Sequence, residues 1–159
     1  MNHHARALVL AIAISAVAVP AATGQGTPGT ADSMHAVAAN AIAWADLEAP
    51  GFDPGVKMAV IHGNPGEAGA YTLRLSFPAG YRFPAHWHPM PENVTVLSGE
   101  MRLGMGGQVD DTKLKSYRPG DYLYIPATMP HFGGVRGATV VQLHGTGPFT
   151  INLVTTVAR

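Results

Sequence analysis

Short apolar runs separated by glycine- and proline-rich turns occupy the sequence from residue 56 onward. The runs have the length of β-strands, and breaks such as the Gly-Asn-Pro-Gly segment at 63–66 are typical of turns. They predict ten strands, at residues 56–62, 70–77, 81–88, 93–97, 100–105, 114–117, 122–125, 131–135, 138–144 and 149–154. Near-even spacing without a long amphipathic helix predicts an all-β sandwich or barrel, and the length of 159 residues suits a single domain.

The composition excludes several classes of function. Ten Lys and Arg residues balance ten Asp and Glu residues, so the basic excess of a nucleic-acid binder or a polybasic membrane surface is absent. The chain has no cysteine, which excludes disulfides, thiolate nucleophiles and cysteine-based metal sites. Any metal must be held by histidine and carboxylate side chains, and eight histidines are available. We expect a small-molecule substrate or ligand as the partner.

The first 21 residues have the layout of an export signal. Arg6 lies in a short polar start, an apolar run covers 8–19, and small residues follow at 20–24. An uncleaved membrane anchor is the alternative, but the run is shorter than the roughly 20 residues that a spanning helix needs. We expect cleavage after Ala21, with Ala22 and Gly24 as neighbouring choices, and a periplasmic or secreted protein.

The expected domain boundaries follow from this layout. Residues 1–21 form the signal, 22–45 a flexible leader and N-terminal arm, and 46–159 the folded domain. Edge strands of small barrels invite pairing, and the apolar stretch 36–44 has the composition to cross to a second copy. We therefore expect a homodimer.

One cluster of residues carries chemistry: Gly80, His86, His88, Glu92 and Gly99. Residues two apart on a strand point to one face, so His86 and His88 project together. The Pro-Met-Pro segment at 89–91 bends the chain, so that Glu92 can return on the neighbouring strand, and 98–99 is expected to form a hairpin turn. Two imidazoles and a carboxylate on one face suit Fe, Mn, Zn, Ni or Co.

A fourth ligand is expected from elsewhere, and the candidate is His131, which follows the segment that begins at Gly120. At this point the sequence resembles the cupin family. The first cupin motif, Gly-x5-His-x-His-x3,4-Glu-x6-Gly, matches residues 80–99 without a departure. The second, Gly-x5-Pro-x-Gly-x2-His-x3-Asn, matches at Gly120, Pro126 and His131, with Thr128 and Val135 in place of the usual Gly and Asn.

The resemblance covers residues 56–154 and implies an all-β double-stranded β-helix, which is a jelly-roll barrel with a metal ion inside. Carried over residue by residue, it implies His86, His88, Glu92 and His131 as the ligands. The ion would be Fe, Mn, Zn or Ni, with its identity left open by this donor set.

Further residues are candidates for contact with a bound molecule. Tyr81, Phe83 and Met90 surround the first motif and can line the pocket mouth, although core packing explains each of them equally well. Gln142 and His144 share one face of the strand at 138–144. They either point into the barrel or lie at its surface or rim.

The resemblance also indicates a reaction class, as an analogy at the level of the fold. We expect a metal-dependent dioxygenase that acts on a small enolic, dicarbonyl or phenolic compound, with Glu92 as ligand and candidate base. Isomerase and lyase reactions are alternatives within the family. Another alternative is a non-catalytic zinc-binding cupin that binds or senses a small ligand. Zinc-dependent anti-sigma factors contain such a domain behind a helical one, which we do not expect in the short arm here.

Overall fold

A computed structural model describes residues 34–154 of the chain, and its compact unit comprises His35 onward. The predicted export signal at 1–21 and the leader up to residue 33 lie outside the described residues. Within them the chain forms eleven strands and two 3-10 turns, Ala39–Ala41 and Asp111–Lys113. The strands are β1 (Ala45–Asp46), β2 (Lys57–His62), β3 (Gly69–Phe77), β4 (Arg82–Trp87), β5 (Glu92–Ser98), β6 (Met101–Met105), β7 (Lys115–Tyr117), β8 (Tyr122–Ile125), β9 (His131–Val135), β10 (Thr139–Gly147) and β11 (Asn152–Leu153).

The all-β prediction is confirmed, and each of the ten predicted strands has a counterpart. The strand that sequence reasoning missed is β1, whose two residues pair with β2. The arm before it lies beside its own β2, where His35 Nε2 donates to the Ile61 carbonyl over 3.0 Å. No helix among residues 34–154 has the length and apolar character required to cross a bilayer.

The strands form two antiparallel sheets that enclose the core. The first sheet has the order β1-β2-β3-β10-β5-β8 and the second has the order β11-β4-β9-β6-β7. Inward-facing residues alternate with outward-facing ones along each strand, as in β3, where Tyr71, Leu73, Leu75 and Phe77 are all buried. Phe83 and Leu103 meet this layer from the second sheet.

Consecutive strands often lie in different sheets, and this corrects one expectation. The turn at 98–99 is not a hairpin, because β5 belongs to the first sheet and β6 to the second. Gly99 has a φ of +79°, and a Cβ at this position would collide with Thr139 and the Ala138 carbonyl. The tight approach to the start of β10 therefore requires glycine at the crossing between sheets.

A register shift in β4 places two side chains on the same side of the sheet. Residues 83 and 86 differ by an odd number and would point to opposite faces of a regular strand. The pairing of β4 with β9 shifts between Phe83 and His86, and Pro84, which has no N–H to donate, lies within this bulge. Both Phe83 and His86 therefore line the interior.

The opposite side of the second sheet carries a separate packing contact. Phe132 is fully buried, and strand alternation directs its ring away from the neighbouring interior residue His131. The ring lies over Gly104 of β6, so that a Cβ on Gly104 would come within 2.6 Å of Phe132 Cζ. Only glycine at residue 104 leaves space for the Phe132 ring.

We predict that Gly104→Ala lowers the free energy of unfolding by about 1–3 kcal/mol, because the new methyl group overpacks the Phe132 contact. Urea denaturation measures the change. Gly137→Ala is the matched control, since no atom lies within 4 Å of the position where its Cβ would be placed. Equal stabilities for the two variants would contradict the packing argument.

Candidate metal centre

The histidines and the glutamate of the motif come from opposite sheets. His86 is in β4, His88 follows that strand directly, and His131 begins β9, where it pairs with His86. Glu92 is the first residue of β5, in the first sheet. The expected return on a neighbouring strand was therefore wrong. The segment at 89–91 carries the chain across the barrel, and Glu92 approaches the histidines from the facing layer.

The nitrogen atoms of the three histidines lie close enough to share one ion. One ring nitrogen from each of His86, His88 and His131 lies within 4.8 Å of the others, and all three residues are buried. Glu92 is also buried. Its Oε2 lies 3.6 Å from His88 Nε2 and 3.6 Å from His131 Nε2. The structure thus brings the three histidines of the sequence prediction into one cluster and places the Glu92 carboxylate beside two of them.

Backbone carbonyl groups determine which nitrogen of each histidine faces the centre of this cluster. A carbonyl oxygen only accepts hydrogen bonds, so each Nδ1 atom in contact with one carries the proton. The Nε2 atoms are then unprotonated and present lone pairs. The pairs are His86 with the Pro84 carbonyl (2.8 Å), His88 with Thr150 (2.7 Å) and His131 with Met129 (3.1 Å).

Burial keeps the histidines neutral. It lowers the pKa of His86 to about 3 and that of His131 to about 4, with a further lowering from neighbouring imidazoles. The pKa of His88 is lowered by the same cause. The 3.6 Å contacts with Glu92 are therefore not ion pairs at neutral pH, although their length would suit such pairs.

Glu92 is affected in the opposite direction. Burial raises the pKa of its carboxyl group to about 7, because the charged form loses the solvation that water would give. Near neutral pH the protonated and ionised forms of the Glu92 carboxyl group are therefore both populated in the metal-free protein. This behaviour suits a group that either binds a cation or holds a proton for a reaction.

The donor set fits a metal ion. Among the described residues, His88 Nε2 is a buried atom without a hydrogen-bond partner. Three imidazole lone pairs converge with no N–H donor among them, and the Glu92 carboxyl group lies beside two of them, an arrangement that a divalent cation stabilises. Nitrogen and carboxylate ligands suit iron, manganese, nickel and zinc.

A small apolar cavity surrounds the histidines. It offers about 40 Å³ to the centres of water molecules, enough for a few waters. Two aromatic side chains, which we call the roof, cover it: Phe149 stacks on His88 at 4.7 Å between ring centroids, and Phe52 meets the His86 ring edge-on at 5.3 Å. The side chains that contact the cluster from this side are thus apolar.

Among the sequence-predicted pocket residues near the first motif, Phe83 lines this cavity, with its ring 5.7 Å from that of His86. Tyr81 is buried outside the cavity lining, and its hydroxyl donates to the Asp53 carbonyl over 2.6 Å. Met90 is exposed and also lies outside the cavity lining.

Gln142 and His144 lie on the outer face of β10, the surface alternative considered from the sequence. Val141 and Leu143 fill the interior, so the residues between them point outward. Gln142 Oε1 accepts a hydrogen bond from Arg74 Nε at 3.1 Å, and His144 is exposed. Neither side chain reaches the histidine cluster through the sheet.

Sequence reasoning missed Phe52, Phe149 and Tyr71. The two phenylalanines lie in loops far along the chain from the motif, and no spacing rule indicates them. Tyr71 is buried on β3 with its ring 5.8 Å from that of Phe149. Burial, with an added contribution from the charge of Glu92, raises its pKa to about 12, so its hydroxyl stays protonated near the site. Its inward position on an alternating strand was the one available signal.

The chain belongs to the ChrR cupin-like domain family, which matches residues 32–150. The resemblance to the cupin superfamily is thereby confirmed, and the two antiparallel sheets agree with a single-domain jelly-roll cupin. A comparison with curated proteins found no significant match.

Solved structures share the fold at low sequence identity. The polyketide cyclase RemF from Streptomyces resistomycificus matches with a TM-score of 0.64 and 19% identity, covering 78% of this chain and 87% of the other. A candidate acetylacetone dioxygenase from Methylibium petroleiphilum matches with a TM-score of 0.62 and 21% identity, covering 83% and 91%. A cupin 2 conserved barrel domain protein from Rhodopseudomonas palustris matches with a TM-score of 0.60 and 15% identity, covering 78% and 88%.

We predict that His86→Ala combined with His88→Ala abolishes stoichiometric metal binding while the fold persists, because the core is apolar and independent of these side chains. Elemental mass spectrometry measures bound metal, and circular dichroism measures the fold. His144→Ala is the matched control, since this histidine is exposed on the outer face of β10. Retention of one metal per chain in the double variant would refute the site.

We predict that metal affinity rises with pH up to about 7 and then levels off. Binding requires Glu92 to lose its proton, and its pKa is about 7, whereas the pKa values of His86 and His131 lie at about 3 and 4. One proton is released per metal, so affinity at pH 5.5 is about 30-fold lower than at pH 8. Competition with a metal-sensitive dye measures this. Glu92→Gln should bind more weakly without this pH dependence, and an unchanged slope in that variant would exclude Glu92 as the titrating group.

Proposed function

We propose that the chain is an exported metal-dependent oxygenase that acts on a small enolic, dicarbonyl or phenolic compound. One divalent ion is held by Nε2 of His86, His88 and His131 and by the carboxylate of Glu92. The observation that carries this proposal is the convergence of these acceptor atoms, including a buried His88 Nε2 without a partner, inside an apolar cavity.

The residues of the chain have distinct roles in this proposal. The carbonyls of Pro84, Thr150 and Met129 orient the imidazoles by accepting from Nδ1. Glu92 completes the donor set as an ionised carboxylate, and the proton that an enol or phenol loses on binding passes to solvent. A redox-active ion bound here supplies the capacity to bring dioxygen and an oxygen-chelating substrate together.

Two of the fold relatives support the choice of substrate class as analogies. One is named for acetylacetone, a dicarbonyl compound, and the other is a polyketide cyclase. Both proteins are under 25% identical to this chain, so they show a likeness in fold alone. Their names serve here only as the analogy from which the substrate class is proposed. The apolar lining of the cavity agrees with such compounds better than with sugars.

A non-catalytic zinc-binding cupin is the second candidate. The cavity is small, with about 40 Å³ open to water centres, and a closed tetrahedral site is typical of structural zinc. In this alternative the three histidines and Glu92 use all four positions around zinc, and the domain binds or senses a ligand elsewhere. The metal found in the purified protein separates the two candidates.

We also propose export and a homodimer, both from the sequence pattern. Removal of residues 1–21 by a signal peptidase predicts a mature chain that begins at Ala22, which intact-mass spectrometry of the exported protein measures. Light scattering measures the dimer; the mass of a single chain would exclude it.

The test of function begins with the metal. We expect the protein purified anaerobically, without chelator or metal-affinity resin, to contain iron, manganese or nickel near one ion per chain. Oxygen uptake should then follow addition of acetylacetone or a catechol, and Glu92→Gln should reduce the rate by about 100-fold or more, because the anionic ligand of the ion is lost. Stoichiometric zinc without oxygen uptake would contradict the oxygenase and support the binding module.

A further inference from the structure

The cavity around the histidines is lined by a single acidic side chain and by no lysine or arginine. Seventeen residues line it, and thirteen of these are hydrocarbon or thioether side chains. The remaining four are the three histidines and Glu92. The charge of a bound molecule is therefore balanced by the metal centre alone.

The charge of that centre follows from its geometry. Each histidine uses its Nδ1 proton on a backbone carbonyl and presents an unprotonated Nε2, so the imidazoles contribute no charge. A carboxylate ligand is ionised and contributes one negative charge. A divalent ion together with Glu92 therefore leaves one uncompensated positive charge inside the barrel.

Among residues 34–154, no charged side chain other than Glu92 and the histidines lines this cavity. Arg74 lies on the outer face of β3, where its Nε donates to Gln142. Glu48 and Asp53, near the roof residue Phe52 in the chain, are exposed to solvent. Exposed charges are screened by water and ions, so their effect inside the cavity is small.

We propose that this cavity selects ligands that carry one negative charge on a chelating pair of oxygen atoms and that have apolar flanks. The enolate of a β-dicarbonyl compound belongs to this class. Dianions of similar shape, such as dicarboxylates, are rejected. The inference rests on the metal centre of the proposed function and adds a charge rule to it.

The physical reason is the cost of burying a net charge. A singly charged chelate makes the centre neutral, whereas a dianion leaves one negative charge in a low-dielectric pocket without a donor to stabilise it. Electrostatic energies are large in such surroundings because water is excluded. The same geometry that makes a monoanion favourable therefore makes its doubly charged analogue unfavourable.

The apolar flanks follow from the walls. The side chains of Phe52, Phe149 and Ile151 line the cavity and have no hydrogen-bond donor. A hydroxyl or carboxylate oxygen turned toward them would lose its hydrogen bonds to water without replacement. Methyl or methylene groups at the same positions lose nothing of this kind.

The experiment compares two ligands of nearly equal shape. Acetylacetone and malonate have the same number of heavy atoms and the same spacing of chelating oxygens, but malonate has carboxylate oxygens where acetylacetone has methyl groups. Each is titrated anaerobically into the purified protein loaded with Co²⁺. The ligand-field absorption of the cobalt reports binding, so the readout does not depend on turnover.

Three variants change or preserve the charge. Glu92→Gln removes the negative charge from the site, Glu92→Asp keeps it, and Glu100→Gln removes one from the turn that follows β5, a strand that is itself about 20 Å long. For each protein we take the affinity for malonate divided by the affinity for acetylacetone. Comparing this ratio between a variant and the wild type removes the intrinsic difference in chelating strength between the two ligands.

We expect Glu92→Gln to shift this ratio toward malonate by at least about tenfold, because the centre now has two positive charges to balance. Glu92→Asp and Glu100→Gln should leave it within about twofold. An equal ratio in Glu92→Gln and wild type, or a failure of acetylacetone to change the cobalt spectrum, would overturn the charge rule alone. Failure of the protein to take up cobalt at the histidines would overturn the proposed metal centre as well.

Discussion

Each histidine of the cluster donates its Nδ1 proton to a backbone carbonyl, and the rest of the site depends on these three hydrogen bonds. The acceptors belong to separate segments: Pro84 in the bulge of β4, Met129 in the loop before β9, and Thr150 beyond β10. Without them, either ring nitrogen could carry the proton and the lone pairs would not converge. His86 and His131 each bond to a carbonyl two residues earlier in the chain, whereas the orientation of His88 requires the loop after β10 to be in place.

Much of the fold was predictable because turn chemistry and strand periodicity are local. The glycine and proline breaks separate all ten predicted strands, and residues two apart, such as His86 and His88, do face the same side. These predictions rest on spacing along the chain, which the sequence contains in full. The placement of His131 with the first motif came instead from the resemblance to the cupin family.

The parts that escaped prediction depend on distant partners. Glu92 was expected on a strand next to the strand of the histidines. The partners of a strand decide to which sheet it belongs, and β5 pairs with β10 and β8 in the other sheet. Phe52 and Phe149 reach the cluster from loops whose paths no periodicity describes. Gln142 and His144 point outward because Val141 and Leu143 fill the core from the same strand. This choice between the two faces becomes evident only when the register of β10 is known.

The division of the four donors between two sheets has a mechanical consequence. Three of them belong to one layer of the barrel and the fourth to the other. An ion bound by all four would link the two layers near Phe52 and Phe149. Because binding stabilises the state that binds, the layers are joined most firmly while the ion is present. In the metal centre proposed above, the stability of the contact between the two layers would therefore depend on the metal available to the protein.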